Sequence, residues 1–163
     1  ANGAAAAAGR WIDDALTGMT QSSRAAAEIL RRHGATACTD ITGFGLLGHL
    51  LEMLRASGTG ARLRIDAVPV LAGARDCLAR GYRSSLHESN RSNLAALVEP
   101  ATGATVQAIE ILLDPQTAGG LLAGIPAAQA QGCVAALRAA GYPAAAVIGS
   151  CSSSVGPGGV LID

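Results

Sequence analysis

The chain has 163 residues, half of them hydrophobic and 15% charged, which suits one domain with its own core and excludes a disordered tract. Its twelve basic residues are all arginines, they balance twelve acidic ones, and aromatics make up only 2%. A neutral chain with so few rings lacks the charge footprint and stacking surfaces of a nucleic-acid binder, and the absence of lysine excludes any chemistry that needs its ammonium group within this chain.

Residues 1–10 open on an alanine run, Ala4–Ala8, with neither a basic lead nor a leucine-rich stretch, so they read as a frayed or artificially added segment rather than a signal peptide. The sequence does not begin with Met, which fits a piece of a longer protein. Residues 11–163 are expected to form a single domain. Strong helix formers and apolar Ala26, Ile29 and Leu30 predict one helix over Trp11–Arg32, stopped by Gly34. A short strand follows over Ala35–Thr39, then a mostly buried helix over Phe44–Ala56. Its apolar face is Phe44, Leu47, Leu51 and Leu54, and its narrow polar stripe is His49, Glu52 and Arg55.

Further along, the pattern predicts a strand at Arg62–Asp66, a helix at Val68–Arg80 and a polar loop from Tyr82 to Asn93. Next come a strand at Leu94–Val98, a short apolar segment at Val106–Leu113 and a strand at Leu121–Ile125. A helix at Ala127–Ala140 and strands at Ala144–Gly149 and Val160–Asp163 complete the order. Alternating helices and strands predict an α/β or α+β domain with one sheet covered by helices. Cys38, Cys77, Cys133 and Cys151 form no CxxC pair and read as reduced, partly buried thiols of a cytoplasmic protein. No apolar run approaches the ~20 residues that span a bilayer, so no membrane partner is expected.

The chemistry is concentrated in Cys38-Thr-Asp-Ile-Thr-Gly-Phe-Gly-Leu-Leu-Gly-His49. Gly43, Gly45 and Gly48 make a GxGxxG between a strand and a helix, and the next strand ends at Asp66. That pattern allows a dinucleotide-binding domain, with pyrophosphate at the helix N-terminus and Asp66 on the ribose. Against it, Thr39, Asp40 and Thr42 interrupt a strand that should be buried on both faces, and an ionised Asp40 repels a pyrophosphate unless a cation lies between them. The same carboxylate suits a phosphate ligand that carries Mg²⁺, with Asp40 on the metal and Gly43 and Gly45 shaping the turn that faces the phosphate. Asp40 as a simple turn cap remains the other reading. A second polar cluster, Asp114-Pro-Gln-Thr-Ala-Gly-Gly120, offers Asp114, Gln116 and Thr117 either as cleft residues or as an Asx-type link between elements. His49 is expected to face solvent beside Glu52 and Arg55. Arg83, His87 and Arg91 belong to the polar loop, which reads as a solvated connector or as an anion-binding flap.

Thr39-Asp-Ile-Thr-Gly-Phe-Gly-Leu-Leu-Gly-His-Leu50 together with Leu113-Asp-Pro-Gln-Thr-Ala-Gly-Gly-Leu-Leu122 resembles the C-terminal domain of the selenophosphate synthetase (selenide, water dikinase) family. Met19-Thr-Gln-Ser-Ser-Arg-Ala-Ala26 is similar as well, with Ser23 and Ala118 standing where that family usually has Asn and Ser. The resemblance spans roughly Trp11 to Ile148. It implies the fold of the aminoimidazole ribonucleotide synthetase C-terminal domain, a mixed, largely antiparallel sheet covered by helices. It also implies a part in making selenophosphate, AMP and phosphate from ATP, selenide and water. By the same resemblance, Asp40 contributes to the Mg²⁺ ions on the ATP phosphates. The reactive Cys or selenocysteine, a lysine, further metal-binding aspartates and most dimer contacts would lie in an N-terminal domain outside this sequence. Cys38 does not match the family's reactive thiol and reads as packing. The chain is therefore expected to form one wall of an ATP and Mg²⁺ cleft and to be inactive alone. A non-catalytic interaction module, its apolar fraction marking a docking face, is the reading from another class.

Overall fold

The computed structural model describes residues 8–94, 98–100 and 106–163. It shows a mixed α/β domain with strands β1 (Ala37–Asp40), β2 (Gly60–Leu63), β3 (Val98–Pro100), β4 (Leu121–Gly124), β5 (Gly149–Ser152) and β6 (Val160–Ile162). Instead of one sheet, the described residues form two. β1 pairs antiparallel with β4, while the larger sheet runs β3-β6-β2-β5, parallel across its first two pairs and antiparallel at the last. The helices are α1 (Gly9–Thr20), α2 (Arg24–Arg32), α3 (Gly45–Ala56), α4 (Ala74–Ala79), α5 (His87–Leu94), α6 (Val106–Leu112) and α7 (Ala127–Ala139).

Helix α3 lies at the centre because its leucines recur at helical spacing. Leu47, Leu50, Leu51 and Leu54 pack with Ile41, Leu63, Leu112, Leu113, Val160 and Ile162 in the main core. Truncating any one of these buried leucines to alanine costs about 2–5 kcal/mol. Ile29, Leu30 and Cys133 form a smaller core between α2, α7 and the two-stranded sheet.

The predicted helix over Trp11–Arg32 is broken at Gln21-Ser22-Ser23. The break is tied down from α7's C-terminal turn: the Tyr142 hydroxyl donates to the Ser22 carbonyl at 2.7 Å and accepts from the Ala26 amide at 3.2 Å, and the Gln21 side chain donates to the Gly141 carbonyl at 2.7 Å. Helix α1 has no buried residue, and Ile12, Leu16 and Met19 on it are exposed. Its Trp11 ring lies where a Cβ on Gly73 would stand, and Gly73 has φ +78°. This glycine and Pro69, which disfavours helix at Val68, explain why the predicted helix over Val68–Arg80 is only Ala74–Ala79. The strand predicted at Arg62–Asp66 ends at Leu63 and passes into a 3-10 turn over Ile65–Ala67.

The strand predicted at Ala144–Gly149 is also displaced, to Gly149–Ser152. Backbone carbonyls of the preceding segment are bonded sideways instead, Ala145 by Arg138 at 3.0 Å, Val147 by the Arg64 side chain at 2.6 Å and Ile148 by the Arg64 amide at 2.8 Å. Of the thiols, Cys133 is buried and Cys77 half-buried, whereas Cys38 and Cys151 are exposed, so the packing role expected of Cys38 does not apply. Among the described residues no helix is long and apolar enough to cross a membrane. The strand predicted at Leu94–Val98 falls largely outside the described residues.

Candidate functional site

The two motifs, far apart in sequence, meet in space. The register of β1 on β4 sets Asp40 opposite Leu121, so the loop after β1 and the loop before β4 leave the same end of that sheet. The loops are then laced together: the Ile41 amide donates to the Gly120 carbonyl at 2.9 Å, the Gly119 amide to Ile41 at 3.0 Å and the Gln116 amide to Thr42 at 3.1 Å. Gly119 is required by this proximity, because a Cβ there would stand 2.5 Å from the Ile41 oxygen.

The two leading glycines differ in their surroundings. Gly45, at the start of α3, has φ +66°, and a Cβ on it would lie 2.8 Å from the Leu112 oxygen and 2.9 Å from the Leu113 carbonyl carbon. It is buried against the end of α6, so packing alone demands glycine there. Gly43 has no such neighbour, the nearest atom to a Cβ being Leu86 Cδ1 at 3.8 Å. Phe44 between them is 56% exposed, which corrects its expected place in the core.

Asp40 is exposed at the end of β1, and among the described residues its carboxylate takes part in no hydrogen bond or ion pair, so nothing supports the turn-cap reading. Asp114 is half-buried. Burial raises its carboxyl above the usual carboxylate range and outweighs the opposing pull of His87 and the bond from Gln116. The Gln116 side-chain amide folds back on Asp114, donating to its carbonyl at 3.1 Å and to its Oδ2 at 3.3 Å. Gln116 therefore braces Asp114, while Thr117 is exposed at the loop's tip.

The polar segment predicted as a connector contains α5, and its inward face is buried under both motifs. Asn90 Nδ2 donates to the Gly43 carbonyl at 2.9 Å and to the Leu113 carbonyl at 3.0 Å, bridging the first motif to the second. His87 is fully buried, with Nε2 2.7 Å from Glu110 Oε2 on α6 and Nδ1 3.7 Å from Asp114 Oδ1. Arg83 Nε reaches the same Glu110 oxygen at 3.4 Å. Burial tends to raise the Glu110 carboxyl, but the bonds from His87 and Arg83 prevail and hold it below the usual range. His49 also departs from expectation. It is buried, its Nε2 is 3.1 Å from the Thr42 hydroxyl and its Nδ1 is 3.2 Å from Glu52, so it fastens α3 to the loop after β1.

The sequence pattern marks neither Asn90 nor Glu110 as a site residue, and it places His87 only in the polar loop with Arg83 and Arg91. The available signal was the three-residue spacing of His87 and Asn90, which puts them on one helical face. No apolar periodicity marks that face as inward.

The dinucleotide reading is contradicted by the sheets. Its strand–helix–strand unit needs β1 and β2 side by side in one parallel sheet, yet they lie in different sheets and β1 pairs only antiparallel. Asp66 is exposed in the 3-10 turn of the other sheet. Among the described residues no three His, Cys, Asp or Glu side chains gather as a metal-binding group.

Comparison with known proteins agrees with the geometry. The chain is 40% identical over 136 residues to the selenide, water dikinase of Agathobacter rectalis, and 41% identical over 111 residues to that of Geobacter metallireducens. These alignments cover 83% and 68% of this chain but only 40% and 32% of the relatives, so it spans about two fifths or less of their length. Among solved structures it is similar to the hydrogenase maturation protein HypE, with a TM-score of 0.54 and 23% identity, over 88% of this chain and 39% of that one. A second HypE structure, in complex with ATP, gives a TM-score of 0.52 at 23% identity over 85% and 36% of the two chains. Residues 3–160 match the family described as AIR synthase related protein, C-terminal domain, and the chain belongs to that family.

Proposed function

We propose that this chain is the C-terminal part of a selenophosphate synthetase and forms one wall of its ATP and Mg²⁺ cleft. The observation that carries the reading is the joining of the two motifs at one end of the small sheet, which sets an exposed Asp40 beside the loop that carries Asp114, Gln116 and Thr117. The relatives named selenide, water dikinase support the substrate class, and the ATP complex of HypE supports the nucleotide.

A carboxylate oxygen is a ligand type that Mg²⁺ accepts, and an exposed one with no competing cation among the described residues fits the ion. Asp40 would hold the metal, Gly43 would let the backbone approach a phosphate, and Asp114, braced by Gln116, would line the cleft with Thr117 at its rim. Gly45 holds the turn by packing on α6. When bound, Mg²⁺ would neutralise charge on the transferring phosphoryl group. One carboxylate is too few for a magnesium site, so the other ligands and the reacting groups would come from an N-terminal domain of the same enzyme. On this reading the chain alone is inactive, residues 11–163 act as one domain, and the complete protein works in the cytoplasm as a homodimer without nucleic-acid or membrane partners.

The test is a chimera in which this chain replaces the corresponding part of the Agathobacter rectalis selenide, water dikinase. The reading predicts AMP formation from ATP that depends on selenide and is lost with Asp40→Asn. A folded chimera that is inert, or one that keeps its activity with Asp40→Asn, would contradict it.

A further inference from the structure

Among the described residues the least explained group is His87 Nδ1, which is sealed from solvent and has no hydrogen-bond partner there. Burying such an atom unpaired is costly, and native structures rarely leave one so without a reason. Two carboxylates face the ring, Glu110 from α6 and Asp114 from the second motif, and Arg83, from the segment before α5, contacts Glu110. Glu110 is 2.7 Å from Nε2 and anchors that edge of the ring, while Nδ1 on the other edge lies 3.7 Å from the Asp114 carboxylate. That gap is about half an ångström beyond hydrogen-bond length, within the reach of a small turn of the Asp114 side chain. Arg83 Nε reaches that same Glu110 oxygen at 3.4 Å, a second hold on the anchoring carboxylate.

We propose that His87 is a positioning residue for Asp114: anchored by Glu110 through Nε2, it steers the Asp114 carboxylate through Nδ1 and so sets how the second motif faces the nucleotide. The nucleotide-facing clause rests on the function proposed above, whereas the His87–Asp114 coupling stands on geometry alone. Asn90, one turn along α5, bonds both motifs directly, so the helix couples the two loops by its backbone placement as well as by this ring. The electrostatics agree, since His87 draws the Asp114 carboxyl down against the effect of burial.

The experiment is a carboxyl-carbon NMR titration of Asp114 and Glu110 in the chain, in His87→Gln and in the control His49→Gln. Steering by His87 predicts that both carboxyls titrate at higher pH in His87→Gln, while His49→Gln leaves Asp114 unmoved. If His87 serves only to hold Glu110, Glu110 moves and Asp114 does not, and the proposal falls. Should His87→Gln fail to fold, Asp114→Asn decides the matter: a displaced Nδ1 nitrogen resonance of His87 supports the coupling, and an unchanged one refutes it. No nucleotide enters these readouts, so failure of the chimera to use ATP would overturn the proposed function and leave this result standing.

Discussion

Replacing Gly45 with alanine separates the structural from the ligand-facing duty of the first motif. The added methyl meets two penalties. A left-handed backbone, here at φ +66°, costs a non-glycine residue about 1–2 kcal/mol. The Cβ would also stand 2.8, 2.9 and 3.0 Å from three backbone atoms of Leu112 and Leu113. These atoms end α6, and Asn90 is bonded to one of them, so they cannot yield as the tip of a flexible side chain would. Overpacking of this kind adds about 1–3 kcal/mol. The sum, about 2–5 kcal/mol, corresponds to a fall in melting temperature of roughly 5–15 °C for a domain of this size. Gly43→Ala, with 3.8 Å of clearance, is the matched control and should stay within about 1 kcal/mol of the parent. Thermal and urea unfolding of both variants measure the difference. Equal stability of the two would refute the packing account of Gly45.

Two further outcomes follow from the buried polar groups. Asn90→Ala leaves the Gly43 and Leu113 carbonyls without their shared donor, and should cost about 2–4 kcal/mol in urea unfolding. Glu110 and Asp114 act in opposite directions on acidification. The lowered Glu110 carboxyl contributes stability that is complete above its unfolded value and is lost as pH falls through the folded one. The raised Asp114 carboxyl penalises the fold at higher pH, and that penalty is relieved on protonation. Glu110→Gln should therefore lose less stability than the parent between about pH 5 and pH 3, measured by unfolding at each pH. A steeper loss in the variant would reverse the sign of the argument.

The parts of the fold that a sequence can reveal are those with a local signature. The leucines of α3 announce a buried helix through their spacing, and the glycine motif announces the left-handed turn at Gly45. That the motifs meet was not legible from spacing, since it depends on β1 pairing with β4 across some eighty intervening residues. Helix α5 was hidden because its inward face is His87 and Asn90 rather than leucines, so burial there comes from hydrogen bonds that periodicity does not report. Likewise His49 shares a stripe with charged Glu52 and Arg55 and yet lies inward, because Thr42 is placed to receive it. Phe44 errs the other way: it continues the apolar stripe of α3 but sits before its first turn, where the chain has already left the core.

The most direct test of the cleft account is an amide NMR titration of the folded chain with ATP plus Mg²⁺, repeated with NAD and on Asp40→Asn. The account predicts weak binding, with shifts confined to the loops around Asp40–Gly45 and Asp114–Gly120, dependence on Mg²⁺, loss in Asp40→Asn and no response to NAD. Shifts that map elsewhere, or that survive both removal of Mg²⁺ and the Asp40→Asn substitution, would contradict it.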